Sequence, residues 1–226
     1  MRRRPVIAID GPMGAGKGTV ARLLAQKLGY RYVDTGAMYR AVAWRVLREG
    51  IPPEDGERVG ELVRSLLIRI LPSPDGFRVW CDGEDVTEAI RSVAVNEVVG
   101  RVAAHPEVRT SLTAQQRALA EGGGVVMEGR DIGTVVVPDA ELKIYLDASL
   151  EERARRRWAE FQAAGLEVPY GWVLEIVRRD DTLAQNRSVA PLRRAPDAHV
   201  VDTTGRTPEE VVEEIVALVR ALEGER

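Results

Sequence analysis

A glycine-rich loop near the start of the chain carries the residues with the clearest chemical meaning. Its nine residues are Gly11, Pro12, Met13, Gly14, Ala15, Gly16, Lys17, Gly18 and Thr19. The loop lies between an apolar run at 6–9 and a helical pattern, which is the strand–loop–helix context of a phosphate-binding loop. Its glycines allow backbone N–H groups to point at phosphate oxygens, and the helix N-terminus adds positive charge. The loop is therefore predicted to bind phosphate groups, with Lys17 at the outermost ones.

The residue after the lysine distinguishes classes of phosphate-binding loop. The strict pattern has Ser or Thr there, whereas this chain has Gly18 and places a hydroxyl one residue later, at Thr19. This variant resembles the loop of nucleoside monophosphate kinases rather than that of GTPases. Lysine is also rare, since it occurs only at 17, 27 and 143 among 32 basic residues. A compact point charge at 17 favours chemistry over the alternative, a glycine-rich turn with a surface lysine.

Polar segments with glycines follow the second and third predicted strands. The first contains Thr35, which is predicted to cap the next helix, and Arg40. Arg40 could hold a second phosphate group, or it could be an ordinary solvated arginine. The second segment contains Arg130 and Asp131 between glycines, a combination more typical of a binding site than of a turn.

Other charged stretches are weaker evidence for a binding site when each is taken by itself. Arg109 lies on a predicted helix, where a solvated face is the simpler explanation. Residues 179–192 place a basic, proline-closed loop after a helix. A charged helix predicted over 150–164 carries four arginines: Arg153, Arg155, Arg156 and Arg157. At least two of them are expected to lie on a solvated face.

The composition restricts the possible functions. The chain has 226 residues, a formal net charge of −3, 45% hydrophobic and 30% charged residues, which fits one globular domain with or without a sizeable insertion. Its charge gives no long-range attraction to nucleic acid or anionic membrane. One cysteine and two histidines exclude internal disulfides and a thiolate- or imidazole-rich metal site. No apolar run suits a membrane span or a signal peptide, so we expect a cytoplasmic protein.

The hydrophobic pattern predicts alternating strands and helices. Strands are predicted at 6–9, 30–35, 125–128, 142–147 and 199–203. Helices are predicted over 16–28, 37–49, 57–70, 87–101, 107–121, 150–164, 172–184 and 208–222. Alternation at 77–82, followed by Asp82-Gly83, predicts a small β-hairpin.

This alternation favours an α/β fold in which helices cover both faces of a parallel sheet. Ligands of such sheets bind at the carboxyl ends of the strands. Chemistry is therefore expected after Asp10, Val33, Glu128 and Leu146. Residues 37 to about 120 are too many for a simple crossover and are predicted to form an inserted substrate-binding subdomain.

Taken together, the motifs resemble one family, bacterial cytidylate kinase. The matching segments occur in the order of the family and span nearly the whole chain: 11–19 (GPMGAGKGT), 34–40 (DTGAMYR), 82–87 (DGEDVT) with 90–91 (IR), 108–109 (VR), 129–134 (GRDIGT) and 186–192 (NRSVAPL). Each motif alone is weak to moderate evidence, but the set is highly specific.

The resemblance implies a P-loop nucleoside monophosphate kinase that transfers the γ-phosphoryl group of ATP to CMP or dCMP. It implies one P-loop kinase domain over 1–226 with about five parallel strands, a nucleoside-monophosphate-binding insert at about 37–120 and a short lid at about 153–187. Because Gly18 replaces the usual hydroxyl, Mg²⁺ is expected to be held mainly by phosphates and water. The expected partners are these small molecules, with no nucleic acid and no membrane, and we expect a monomer.

The resemblance also implies residue roles. The loop 11–19 holds the phosphates of ATP, and the expected catalytic residues are Lys17, Arg130 and Arg187. The expected substrate-binding residues are Thr35, Tyr39, Arg40, Arg109, Arg130, Asp131 and Arg187. Among these, three arginines (40, 130 and 187) hold acceptor phosphates, whereas the residues at 109 and 131 read the base. The expected lid arginines are Arg153, Arg156 and Arg157.

The chain departs from the family pattern at two positions. A serine that the family often has is missing, with Gly100 in its neighbourhood, and the acidic residue expected three positions before Arg187 is Ala184. The alternatives are another small P-loop kinase, for a different nucleoside monophosphate or for shikimate, and a P-loop switch. A switch would need Ser or Thr at 18, an acidic strand-end pair or an Asn-Lys-x-Asp base reader, which the chain lacks.

Overall fold

The computed structural model describes residues 4–73, 76–187 and 189–224. Within these ranges the strands are β1 (Val6–Asp10), β2 (Arg31–Asp34), β3 (Ile68–Ser73), β4 (Gly76–Cys81), β5 (Glu84–Asp85), β6 (Val125–Gly129), β7 (Leu142–Asp147) and β8 (His199–Asp202). The α-helices are α1 (Lys17–Leu28), α2 (Thr35–Arg48), α3 (Gly56–Ser65), α4 (Val93–Val102), α5 (Pro106–Ala120), α6 (Leu150–Ala163), α7 (Tyr170–Gln185) and α8 (Pro208–Gly224).

The main sheet has five parallel strands in the order β2–β6–β1–β7–β8, which confirms the predicted α/β fold. Strands β1 and β6 are buried along their whole length, as expected for central strands covered on both faces. In the register of these two strands, Asp10 lies opposite Gly129. The chain segments that follow β1 and β6 therefore leave the sheet side by side, at its carboxyl edge.

The chain forms two compact units. One consists of the residues up to Tyr30 together with those from Gly123 onward, and the other is Arg31–Gly122. The core of the second unit is built mainly from valine, alanine and isoleucine side chains of α2–α5 and the small sheet β3–β4–β5. The hairpin between β4 and β5 turns at Asp82 and Gly83, both with positive φ, as the Asp-Gly signal predicts.

Two predicted helices are wrong in their extent. The helix expected over 57–70 ends at Ser65, and Ile68–Ser73 is instead the strand β3, antiparallel to β4. Helical and strand periodicities overlap in the short apolar run 66–71, so pairing with β4 decides the outcome. The helix expected over 87–101 is a short 3-10 turn, Ala89–Arg91, followed by α4. Its break falls at Ser92, whose hydroxyl caps α4.

Within the described ranges, no helix has both the length and the apolar character that crossing a membrane requires.

Candidate active site

The predicted phosphate-binding loop, residues 11–19 and called the phosphate loop below, has a conformation that only a glycine-rich sequence adopts easily. Gly11 has a φ of +154°, and a Cβ there would lie 2.1 Å from the carbonyl oxygen of Leu146, at the end of β7. Gly14 has a φ of +76°, and a Cβ there would lie 2.9 Å from the Cβ of Arg153 on α6. These two glycines let the loop lie against neighbouring backbone on both sides, and α1 begins directly after it, at Lys17.

Lys17 is turned toward the loop that precedes it. Its Nζ donates to the carbonyl oxygen of Pro12 at 2.8 Å. Burial, and then the nearby charge of Arg130, lower the pKa of Lys17 from 10.5 to about 8, against the opposing effect of Glu128 and Asp10. The ammonium group is therefore still charged at neutral pH, but burial disfavours that charge, so a bound anion would stabilise it.

Asp10 is a site residue that the sequence motifs do not single out. It ends β1, is only 4% exposed, and its two carboxylate oxygens accept the backbone N–H groups of Ile132 and Gly133, each at 2.8 Å. Asp10 thus joins the start of the phosphate loop to the segment that follows Arg130 and Asp131. A carboxylate at the end of a fully buried strand is the sequence signal that could have indicated this role.

We expect Asp10 to make the protein less stable as the pH rises from about 4 to 6. Burial raises its pKa from 3.8 to about 6, so the folded state binds this proton more tightly than the unfolded state. Stability therefore falls as pH rises through this window, by up to about 3 kcal/mol.

Urea unfolding of the unmodified protein and of Asp10→Asn between pH 4 and 7 tests this expectation. The unmodified protein should gain stability relative to the variant as the pH falls from 7 to 4. A difference in unfolding free energy that stays constant over this range would contradict the prediction.

Arg130 and Asp180 form an ion pair inside the first unit. The Nη1 of Arg130 lies 3.0 Å from Oδ2 of Asp180, but the two atoms are not aligned for a hydrogen bond. Arg130 and Asp180 both act on the pKa of Lys17, in opposite directions. Lys17 and Arg130 thus converge beside the phosphate loop with three carboxylates: Asp10, Glu128 and Asp180. The sequence motifs indicate the two cations but not Asp180.

The predicted lid arginines have different surroundings. Arg153 is 6% exposed, forms a two-point ion pair with Asp181 of α7 and donates to the carbonyl oxygen of Met13. Arg156 donates to the carbonyl oxygens of Gly14 and Thr203, at 3.3 and 2.6 Å.

Arg157, the remaining lid arginine, pairs with Glu160 on its own helix at 2.6 Å and lies over the ring of Phe161. The structure therefore brings two of the three lid arginines onto the phosphate loop. The third lies on the partly exposed side of α6.

In the second unit, Asp34 rather than Thr35 caps α2, since its Oδ1 accepts the N–H of Ala37 at 2.8 Å. The expectation that Thr35 caps the helix is wrong, because Thr35 is itself the first helical residue and is buried. The other carboxylate oxygen of Asp34 pairs with Nη2 of Arg40 at 2.8 Å. Asp34 therefore fixes both the helix start and the direction of Arg40.

The two residues predicted to read a base are both buried. Arg109 of α5 is 6% exposed, its guanidinium lies 5.4 Å from the centre of the Tyr39 ring, and Nη1 donates to the carbonyl oxygen of Ala103 at 3.4 Å. Asp131 is 4% exposed in the first unit. Burial of a carboxylate and a guanidinium favours specific polar partners over solvation.

The last predicted segment, 186–192, follows α7. Arg187 is partly buried, and Ser188 lies outside the described residues. Ala184 is fully buried in the last turn of α7, where its carbonyl oxygen accepts the N–H of Leu192. Asp180 and Asp181, the acids that could have replaced the one missing at 184, already pair with Arg130 and Arg153.

The first unit places a glycine-rich loop next to the guanidinium groups of Arg153 and Arg156. Among the described residues, no three histidine, cysteine, aspartate or glutamate side chains are grouped as a metal site. Such a site can bind and orient phosphate groups and stabilise the negative charge that develops on them.

A comparison with known protein families gives the decisive observation. The family model described as cytidylate kinase matches residues 7–221, nearly the whole chain. The chain belongs to the cytidylate kinase family. It is accordingly a nucleoside monophosphate kinase, as the motifs predict, and a member of a family that uses a nucleotide as phosphate donor. This membership decides against the alternatives of a shikimate kinase or a P-loop switch.

Curated cytidylate kinases are similar to the chain along its whole length. The protein of Geobacillus kaustophilus is 52% identical over 219 residues, which cover 97% of this chain and 98% of that protein. The protein of Caldanaerobacter subterraneus is 52% identical over 214 residues, which cover 95% and 94%. The bifunctional pantoate ligase/cytidylate kinase of Gloeobacter violaceus is 54% identical over 222 residues, but this chain spans only 43% of its length.

Similarity to a solved structure supports the fold and no further property. The uncharacterized protein from Eubacterium ventriosum superposes with a TM-score of 0.54 at 12% identity, over 96% of this chain and 99% of that one.

Proposed function

We propose that the protein transfers the γ-phosphoryl group of ATP to CMP or dCMP, producing ADP and the corresponding diphosphate. A terminal phosphate oxygen of the acceptor attacks the γ-phosphorus, and the bond from that phosphorus to the β–γ bridging oxygen breaks. Because the second pKa of a phosphate ester is about 6, the attacking oxygen is already anionic at neutral pH. The reaction therefore needs positioning and neutralised charge rather than a general base.

On the donor side, we assign the ATP phosphates to the loop 11–19 and Lys17. The N–H groups of the loop surround the phosphates, and the buried ammonium of Lys17 neutralises charge on the transferred group. The hairpin of α6 and α7 is the proposed lid, which excludes water and so prevents hydrolysis of ATP.

On the acceptor side, we assign the phosphates of the acceptor to Arg40, Arg130 and Arg187, and the base to Arg109 and Asp131. Thr35 and Tyr39 complete the proposed substrate-binding residues of the second unit. We infer that this second unit is the nucleoside-monophosphate-binding insert.

Mg²⁺ fits this site as a partner of the substrate phosphates. Among the described residues no cluster of three ligands is present, and magnesium commonly binds through phosphates, waters and at most one or two carboxylates. When bound, the ion neutralises charge on the transferred phosphoryl group. Arg130 and Lys17 supply the protein's own share of that neutralisation.

The match of residues 7–221 to the cytidylate kinase family model is the observation that carries this proposal, and the cations Lys17 and Arg130 beside the loop are consistent with it. A coupled assay that measures ADP formation from ATP with CMP, UMP, AMP or shikimate as acceptor tests it. CMP should give the highest kcat/KM of the four acceptors. If CMP is phosphorylated no faster than AMP or shikimate, the proposed function is wrong.

We expect CMP and dCMP to be used within a few-fold of each other. Ala184 offers no acceptor for a sugar hydroxyl, and the neighbouring acids Asp180 and Asp181 are engaged by arginines. A hydrogen bond from a hydroxyl to a carboxylate is typically worth about 1.5–3 kcal/mol. Without such a bond, the additional sugar hydroxyl of CMP should give it little advantage over dCMP.

Parallel kcat/KM measurements on CMP and dCMP check this expectation for the unmodified protein and for Ala184→Asp. The ratio of the two values does not depend on the folded fraction, which matters because Ala184 is buried. The variant is expected to change the ratio. A strong preference in the unmodified protein that Asp180→Ala abolishes would instead show that Asp180 reads the sugar.

A further inference from the structure

Arg153 and Asp181 form a buried ion pair between α6 and α7. The Nη1 and Nη2 atoms of Arg153 donate to the two carboxylate oxygens of Asp181, at 2.9 and 2.6 Å. The side chains of both residues are largely removed from solvent. Two parallel hydrogen bonds fix the plane of the guanidinium group as well as its position.

The remaining donors of Arg153 reach backbone carbonyls on two other segments. Its Nε donates to Ala148 just after β7, at 3.0 Å, and Nη1 also donates to Met13 in the phosphate loop, at 3.1 Å. The backbone of α6 lies so close to the loop at this point that Gly14 admits no side chain. One guanidinium group thus ties together the end of β7, the phosphate loop and α7.

The contact with Met13 constrains an N–H group of the phosphate loop. The carbonyl of Met13 and the N–H of Gly14 belong to the same peptide unit, which is planar and trans, so they point in opposite directions. When Arg153 holds the carbonyl, the N–H of Gly14 is fixed pointing away from Arg153. Orientation of these N–H groups before binding is what lets such a loop bind phosphate.

The chemistry of the pair suits positioning better than stabilisation. Burial of two charges costs desolvation, so a buried ion pair is weak evidence for stability. Arg155 on the same helix instead makes an ordinary exposed pair with Glu152. An arginine fork with four defined contacts specifies a geometry that an apolar pair of similar size does not.

We propose that Arg153, held by Asp181, is a positioning residue that fixes the phosphate loop for the donor nucleotide and does not itself contact ATP. This inference rests on the proposed function, in which the loop binds ATP.

The test replaces the pair by apolar residues of similar size, in the double variant Arg153→Met/Asp181→Leu. Three quantities are measured: the melting temperature, the Kd for ATP by calorimetric titration without acceptor, and the KM for CMP. Because the variant leaves no buried charge unpaired, its melting temperature should stay within a few degrees of the unmodified value. The Kd for ATP should rise at least tenfold, whereas the KM for CMP should change less than threefold.

Asp197→Asn is the matched control, because it removes the carboxylate partner of another buried cation of the same unit, Lys143. Its Kd for ATP should be unchanged, whatever happens to its melting temperature.

An unchanged Kd for ATP in the double variant would overturn the proposal. So would parallel losses of ATP and CMP binding, which would indicate a general structural role. If the double variant does not fold, Arg153→Lys decides the question. Its single ammonium group keeps the charge beside Asp181 but cannot reproduce the fork, so the Kd for ATP should rise at least threefold, and an unchanged value overturns the proposal.

The titration also separates this inference from the proposed function. A protein that binds ATP but does not phosphorylate CMP would refute the proposed function, while the effect of the pair on ATP binding would still be measured.

Discussion

Replacing Lys17 by methionine is expected to lower kcat by at least about 100-fold without lowering the stability of the protein. The ammonium group neutralises charge on the transferred phosphoryl group, and loss of one such group in a preorganised site typically costs about 10²–10³ in rate. Burial disfavours this charge in the absence of substrate, as the lowered pKa of Lys17 indicates. Methionine has a similar length and no charge, so it should be tolerated at least as well as the lysine.

The test is specific because kcat should fall while the melting temperature stays the same or rises. The kcat from the coupled CMP assay and the melting temperature are measured on the same preparation. Lys27→Met is the control, because Lys27 also lies on α1 but pairs with Glu213 at the surface. Its activity should match that of the unmodified protein. Comparable activity in Lys17→Met would exclude a role of Lys17 in phosphoryl transfer.

Local sequence patterns predict the parts of the fold that require a particular type of residue. The phosphate loop needs glycine where the backbone is crowded, and the Asp-Gly turn at 82–83 needs positive φ, so residue type alone identifies both. The fully buried strands β1 and β6 appear as short apolar runs, 6–9 and 125–127, each followed by an acidic residue. The boundary between α3 and β3 is not predicted, because the strand there depends on pairing with β4, which lies further along the chain.

The roles of residues that depend on distant partners are difficult to predict from the sequence. Asp10 binds N–H groups more than 120 residues away, so its position at the end of a buried strand marks it as unusual but does not identify its partners. Arg153 and Arg155 are near neighbours on one charged helix, and only the family resemblance, which names the first as a lid arginine, distinguishes them in the sequence. Only the packing of α6 shows that the first is buried against the phosphate loop and the second is solvated.

The protein is expected to prefer CMP over UMP by at least tenfold in kcat/KM, and Asp131→Asn should remove most of that preference. Cytosine presents an amine donor at N4 and an acceptor at N3, whereas uracil presents an acceptor at O4 and a donor at N3. In the proposed assignment, the Asp131 carboxylate accepts from N4 and Arg109 donates to N3 or O2. Uracil would place its O4 against a carboxylate and its N3–H against a guanidinium, which costs roughly 1–3 kcal/mol or more.

Asparagine is the informative substitution because its amide offers a donor and an acceptor in the space of the carboxylate. It can accept from the amine of cytosine or donate to O4 of uracil, so discrimination should fall while binding of a pyrimidine is retained. The measurement is the ratio of kcat/KM for CMP to that for UMP, at saturating ATP. Asp139→Asn is the control, because Asp139 is an exposed acid a few residues away, and its ratio should equal that of the unmodified protein. If the unmodified protein uses UMP as well as CMP, or if Asp131→Asn keeps the full preference, Asp131 does not read the base.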